Sequence, residues 1–208
     1  MTNDPECRPW VEQDEGPYHL DGEPVRQDLI EDRPGVPLRL AVRLVGDDGI
    51  PVVGAVVDVW HCDALGRYSG FGVPGDPGHD GGSAGNPTER FLRGRQRTDD
   101  DGCCEFRTIY PGWYGGRTVH IHVIAEADGR RWTSQFFFPD ALNDEVLARP
   151  PYRQRPGRDT TNATDDIFAH HGENTMLAVA PDQDGYQAAI CLQIPAPPIG
   201  NASPLPST

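Results

Sequence analysis

The chain has 208 residues, 37% of them hydrophobic, and a formal net charge of −14. A chain of this length buries roughly 70% of its unfolded surface and needs no metal or disulfide merely to fold, and its apolar runs fall well short of the ~18 residues of a membrane-spanning helix. Every basic residue is Arg, with no cluster dense enough to grip phosphate, which argues against nucleic acid and anionic membrane surfaces as partners.

The 24 Gly and 21 Pro predict many turns and long loops. Cysteines stand at 7, 62, 103, 104 and 191. Their number is odd and no CxxC occurs, so no disulfide framework is expected. Cys103, Cys104 and Cys191 lie in strand-like runs and read as small core residues. The acidic N-terminus lacks an apolar signal core. Together these predict a cytoplasmic protein.

Residues 1–36 are polar and punctuated by Pro, an N-terminal arm without helical periodicity. From Val36 the pattern changes. Leu38, Leu40, Val42 and Leu44 alternate with Arg39, Ala41 and Arg43, the period of a strand. Gly46–Gly49 is a turn, and Val52 to Trp60 a second strand. Residues 66–100 hold nine Gly and three Pro and predict a long irregular loop. Asp99-Asp100-Asp101-Gly102 lacks the spacing and the Glu of a calcium loop and reads as a turn into strand Cys103–Ile109. Thr118–Ala127 and Trp132–Phe138, split by Asp128-Gly129, predict a tight hairpin. Ala141–Ala148 predicts a short helix, 149–174 a second long loop, and Met176–Ala180 with Tyr186–Ile194 a final hairpin. About seven strands with little helix predict an all-β fold, an antiparallel two-sheet β-sandwich over residues 37–195. Residues 196–208 read as a flexible tail.

His120-Ile121-His122 lies in a strand, where side chains alternate, so both imidazoles share one face while Val119, Ile121 and Val123 take the other. An HxH alone reads more readily as two histidines on a solvated face than as a metal site. Its neighbours change the weighing. Tyr114 stands on a Gly-rich turn just upstream, and Tyr68 stands where a strand runs into the first long loop. Imidazole suits Zn, Cu, Fe or Ni. A phenol of pKa ~10 binds a metal well only after a strong Lewis acid displaces its proton. Two phenolates and two neutral imidazoles select a hard trivalent ion, Fe(III), and leave it one residual positive charge that a bound hydroxide neutralises.

With these residues in view, the sequence resembles the intradiol ring-cleavage dioxygenases of the protocatechuate 3,4-dioxygenase type. The stretches VPLRLAVRLV, DVWHCDALGRYSGF, YPGWYGGRTVHIHV and TSQFFFPD carry the likeness. The resemblance implies that Tyr68, Tyr114, His120 and His122 hold Fe(III), with Tyr114 and His120 axial. It implies that Arg117 is the active-site arginine and Gln135 its partner near the iron-bound hydroxide. It implies O2 and a small aromatic ortho-diol as substrates, a muconate-type diacid as product, and Tyr114 as acceptor of one substrate proton. The short arm points to the single-domain branch, parts of which are secreted; assembly as a homo-oligomer is left open. Rival readings are a relative acting on another phenolic substrate in specialised metabolism, a non-catalytic binding sandwich, and a hydrolytic zinc site.

Tyr18 and Trp113 are expected to line the pocket. His61 reads as structural, and His79, His170 and His171 as loop residues at the surface. Asn162-Ala163-Thr164 and Asn201-Ala202-Ser203 are sequons that matter only on secretion. Ser69 and Ser134 lack a GxSxG setting, which argues against a serine hydrolase.

Overall fold

The computed structural model describes residues 6–71 and 86–195. Its strands are β1 (Arg8–Pro9), β2 (Pro37–Gly46), β3 (Val56–Trp60), β4 (Arg93–Arg97), β5 (Cys103–Ile109), β6 (His120–Ala127), β7 (Arg130–Phe137), β8 (Ala178–Asp182) and β9 (Gly185–Ile194), with one helix, α1 (Asp140–Leu147). One sheet runs β1-β9-β2-β5, with β8 also on β9; the other runs β4-β3-β6-β7. Leu38, Leu40, Phe106, Ile190 and Leu192 of the first sheet meet Val57, Val59, Ile121, Val123 and Phe136 of the second in one buried core. The expected β-sandwich is present, and the alternation of β2 is the burial pattern that its sequence predicts.

Three details differ from the sequence reading. The first sheet is mixed, because β9 lies parallel to both β1 and β2; about two thirds of the chain separates β2 from β9, and so long a connection allows parallel pairing. β4 falls inside the expected loop 66–100. Its sequence, RGRQR, has no apolar alternation, and it is held as a strand by pairing with β3. Third, the cysteines do not all stay thiols. Cys7 and Cys191 form a disulfide with Cα atoms 4.4 Å apart, while Cys62, Cys103 and Cys104 are free. Cysteines 184 residues apart in sequence meet because β1 pairs with β9, a contact invisible to spacing arguments.

The arm is part of the domain. Leu29 and Trp10 are in the core. Val25 bridges Arg95 and Asp28 bridges Arg107, so the arm crosses both sheets. The loop 149–174 contains short 3-10 turns, including Asn162–Thr164. Asn162 is buried, accepts from Thr118 Oγ1 (2.7 Å) and donates to the Phe138 carbonyl (2.9 Å), so this sequon is closed to modification in the folded chain. His79, Asn201 and the tail lie outside the described residues.

Two outcomes test the cross-link. Unreduced protein, denatured, is expected to show three titratable thiols of its five cysteines. Cys7→Ser is expected to cost about 2–4 kcal/mol and to lower Tm by roughly 10 °C in calorimetry. Five thiols or an unchanged Tm would contradict the pairing.

Candidate metal centre

Strand register builds this site. β6 is antiparallel to β3 and β7, which sets Trp60 opposite His122 and His122 opposite Gln135. Directly opposed residues share a face, so Trp60, His122 and Gln135 form one row across the sheet. His120 and Phe137 form the next. The other face of β6 sends Ile121, Val123 and Ala125 into the core. The histidines therefore stand on the outer face of the four-stranded sheet, yet only 2% and 1% of their surface is exposed. The solvated-face reading of HxH is excluded.

Two turns deliver the tyrosines. Asp63 Oδ1 accepts from the backbone N–H groups of Leu65 (2.9 Å) and Arg67 (3.0 Å), curling the chain towards Tyr68. Gly66, at φ +83°, lies so close to the other turn that an added Cβ would sit 2.3 Å from the Trp113 carbonyl oxygen. The Gly112 N–H donates to the Asp63 carbonyl (3.1 Å). The turns bearing Tyr68 and Tyr114 are thus packed backbone to backbone, which only glycine permits. Behind Tyr68, the buried Arg93 donates to Ser69 Oγ (2.7 Å) and to the Ser69 carbonyl (3.0 Å), and it pairs with the buried Glu23 (3.3 Å).

The four side chains converge. His120 Nε2 lies 3.1 Å from His122 Nε2, 3.2 Å from the Tyr114 hydroxyl and 3.4 Å from the Tyr68 hydroxyl. His120 Nδ1 is 2.7 Å from the Thr118 carbonyl. A carbonyl only accepts, so Nδ1 carries the proton and Nε2 a lone pair aimed at the common point. The His122 ring stacks on Trp60 at 4.8 Å and 5°, and its Nδ1 has no hydrogen-bond partner among the described residues. Tyr18 stacks on Tyr68 at 4.7 Å and meets Tyr114 edge-on, as expected of a pocket residue. Trp113 instead packs in the main core, with its indole N–H donating to the Arg155 carbonyl (2.9 Å).

Burial pushes the phenol of Tyr68 well above its ordinary range, and that of Tyr114 likewise, although the charge of Arg117 opposes the shift at both. Burial and Arg117 hold the His120 imidazole down to about 3, and burial with the neighbouring His120 holds that of His122 well below its usual value. At neutral pH the cluster is two phenols and two neutral imidazoles. This donor set fits a hard trivalent cation, which would be held by the two imidazole nitrogens and would displace both phenol protons. Among the described residues, no group of three or more His, Cys, Asp or Glu side chains is placed to hold a metal.

Arg117 donates from Nε to Asp165 Oδ2 (2.8 Å) and from a terminal nitrogen to Gln135 Oε1 (2.5 Å). Gln135 in turn donates to the Asp14 carbonyl (2.7 Å), and its backbone N–H to Gln13 Oε1 (3.1 Å). Gly16 lies over His122, where an added Cβ would be 3.2 Å from the ring. The arm roofs the site; the sequence points to Tyr18 within it but not to Gln13, Asp14 or Gly16. Asp165 was also missed, because an acidic residue in a Pro- and Arg-rich loop carries no spacing signature. His61 is structural as expected, bound to the Cys62 carbonyl (2.8 Å) and Thr108 Oγ1 (2.7 Å), and His170 and His171 are exposed.

Comparison with known proteins adds an independent line. A family model described as Dioxygenase matches residues 14–155, more than half of the chain. Catechol 1,2-dioxygenase 1 of Acinetobacter lwoffii is 33% identical over 177 residues, covering 69% of this chain and 53% of that protein. Chlorocatechol 1,2-dioxygenase of Rhodococcus opacus is 32% identical, covering 56% of this chain and 49% of that protein. The chain spans about half the length of these curated relatives. A solved intradiol ring-cleavage dioxygenase from Tetranychus urticae superposes with a TM-score of 0.80 at 32% identity, over 90% of this chain and 94% of that one. The dioxygenase domain of a carbohydrate-binding fusion protein from Streptomyces sp. SirexAA-E gives a TM-score of 0.64 at 30% identity, over 89% and 97%.

The buried His61 gives a test of these electrostatics that avoids the metal. Burial holds its imidazole down to about 4, so below pH ~6.5 the unfolded chain takes a proton that the folded chain refuses. Its contribution to stability is present above that pH and is lost as pH falls towards 4. Between pH 6.5 and 4, wild type is expected to lose on the order of 3 kcal/mol more than His61→Gln in denaturant unfolding. Parallel curves would contradict this.

Proposed function

Given that the chain belongs to the intradiol ring-cleavage dioxygenases, we propose that it cleaves a small aromatic ortho-diol with O2 at a non-haem ferric ion, giving a muconate-type diacid. One observation carries the reading: two phenols and two imidazoles converge on a buried point within 3.4 Å of His120 Nε2. Tyr68, Tyr114, His120 and His122 are the residues that would hold the ion. Bound there, ferric iron would supply a Lewis acid for the diol oxygens and an electron sink for the ring.

The chain's own side chains do the rest. The neutral imidazoles stay lone-pair donors throughout the physiological pH range, because burial keeps them from taking protons. Tyr114 stands beside Gly115 and Gly116, and its oxygen, once ionised by the metal, would accept a substrate proton. Arg117 supplies fixed positive charge where the ring and the incoming oxygen become negative. Gln135 holds that guanidinium and is itself fixed by the arm. Tyr18, stacked on Tyr68, keeps the site dry and offers a face to an aromatic substrate. The Cys7–Cys191 cross-link is of a kind that persists in oxidising surroundings, and we place the chain in such a compartment.

The iron-loaded protein is expected to be red-brown and to consume one O2 per catechol, with both atoms of labelled O2 in the ring-opened product. A colourless protein or product without label would overturn the reading. Tyr114→Phe is expected to lower kcat by about 10²–10⁴ with iron content measured alongside; unchanged turnover at full iron would remove Tyr114 as proton acceptor.

A further inference from the structure

Arg117 is gripped on two edges, and the two grips differ in kind. Gln135 reaches it from β7, whereas Asp165 reaches it from the 149–174 loop. Asp165 is 2% exposed, and its carboxylate takes four N–H groups. Oδ1 accepts from the backbone of Ile167 (2.9 Å) and Phe168 (2.8 Å), which locks the side chain against its own turn. Oδ2 is thereby aimed at residues 117 and 118, accepting from Arg117 Nε (2.8 Å) and the Thr118 N–H (2.8 Å). The Thr118 carbonyl holds His120 Nδ1. One buried carboxylate therefore holds both the guanidinium and the backbone of Thr118, the residue whose carbonyl fixes the tautomer of His120. A carboxylate needed only to cap a loop turn would have no reason to spend its second oxygen on the site.

We propose that Asp165 is a positioning residue for ring cleavage, orienting Arg117 at the metal centre without itself touching substrate. The inference rests on the dioxygenase reading above. Removing the charge of one partner in a buried pair leaves the other uncompensated, so Arg117 loses its fixed direction.

Asp165→Asn is the direct test, in the iron-loaded full chain. It keeps one oxygen to cap Ile167 and Phe168 and removes the counter-charge and an acceptor. The expected result is kcat down about tenfold to a hundredfold, KM within about threefold of wild type, iron content and visible absorption retained, and Arg117 displaced in the variant's crystal structure. A kcat within about twofold of wild type with Arg117 unmoved would overturn the proposal, as would loss of iron binding and activity together. Should Asn not fold, Asp165→Glu keeps the charge one methylene out of place, and there wild-type kcat would overturn it. If the wild-type chain consumes no O2 with any ortho-diol, the dioxygenase reading fails, while the position of Arg117 in the crystals still decides what Asp165 does.

Discussion

The pairing of β6 with its two neighbours is the constraint on which the site depends. The register that sets Trp60 beside His122 and His122 beside Gln135 lines up a stacking partner, an imidazole and an amide in one row. A slip of one residue would turn the histidines into the core and Ile121 and Val123 outward. The hydrophobic pattern forbids that slip, because the opposite face of β6 is the apolar wall of the sandwich. Packing the core and aiming the imidazoles are therefore one and the same requirement.

What covers the outer face then decides the chemistry. A sheet face open to water would leave HxH as two ordinary histidines. Here the arm, the Tyr68 turn and the Tyr114 turn close over it, and burial makes every titratable donor neutral. Neutral imidazoles and protonated phenols in a dry pocket are poised for a highly charged cation, since ionising the phenols is costly until such a charge is present. The fixed charges stand one layer out, in Arg117 with Asp165 and in Arg93 with Glu23.

The sequence makes the strands legible wherever they are amphipathic. β2, β5 and β6 alternate or run apolar, and their extents follow. The HxH pair is legible as two donors on one face, and the tyrosines through motifs that resemble a known family. Other parts leave no local trace. β4 is a strand because β3 pairs with it, despite a sequence of arginines, glycine and glutamine. Cys7 meets Cys191 through a parallel pairing across almost the whole chain. Asp165 and the Gln13–Gly16 segment become site residues only when a loop and the arm fold over the sheet. Local pattern reports burial; it does not report which distant segment does the burying.

Iron-edge anomalous diffraction from crystals of the ferric protein tests the central claim most directly. A single strong peak is predicted within bonding distance of the hydroxyl oxygens of Tyr68 and Tyr114 and the Nε2 atoms of His120 and His122. Iron bound elsewhere, or these four side chains bonded to nothing in crystals containing stoichiometric iron, would contradict it.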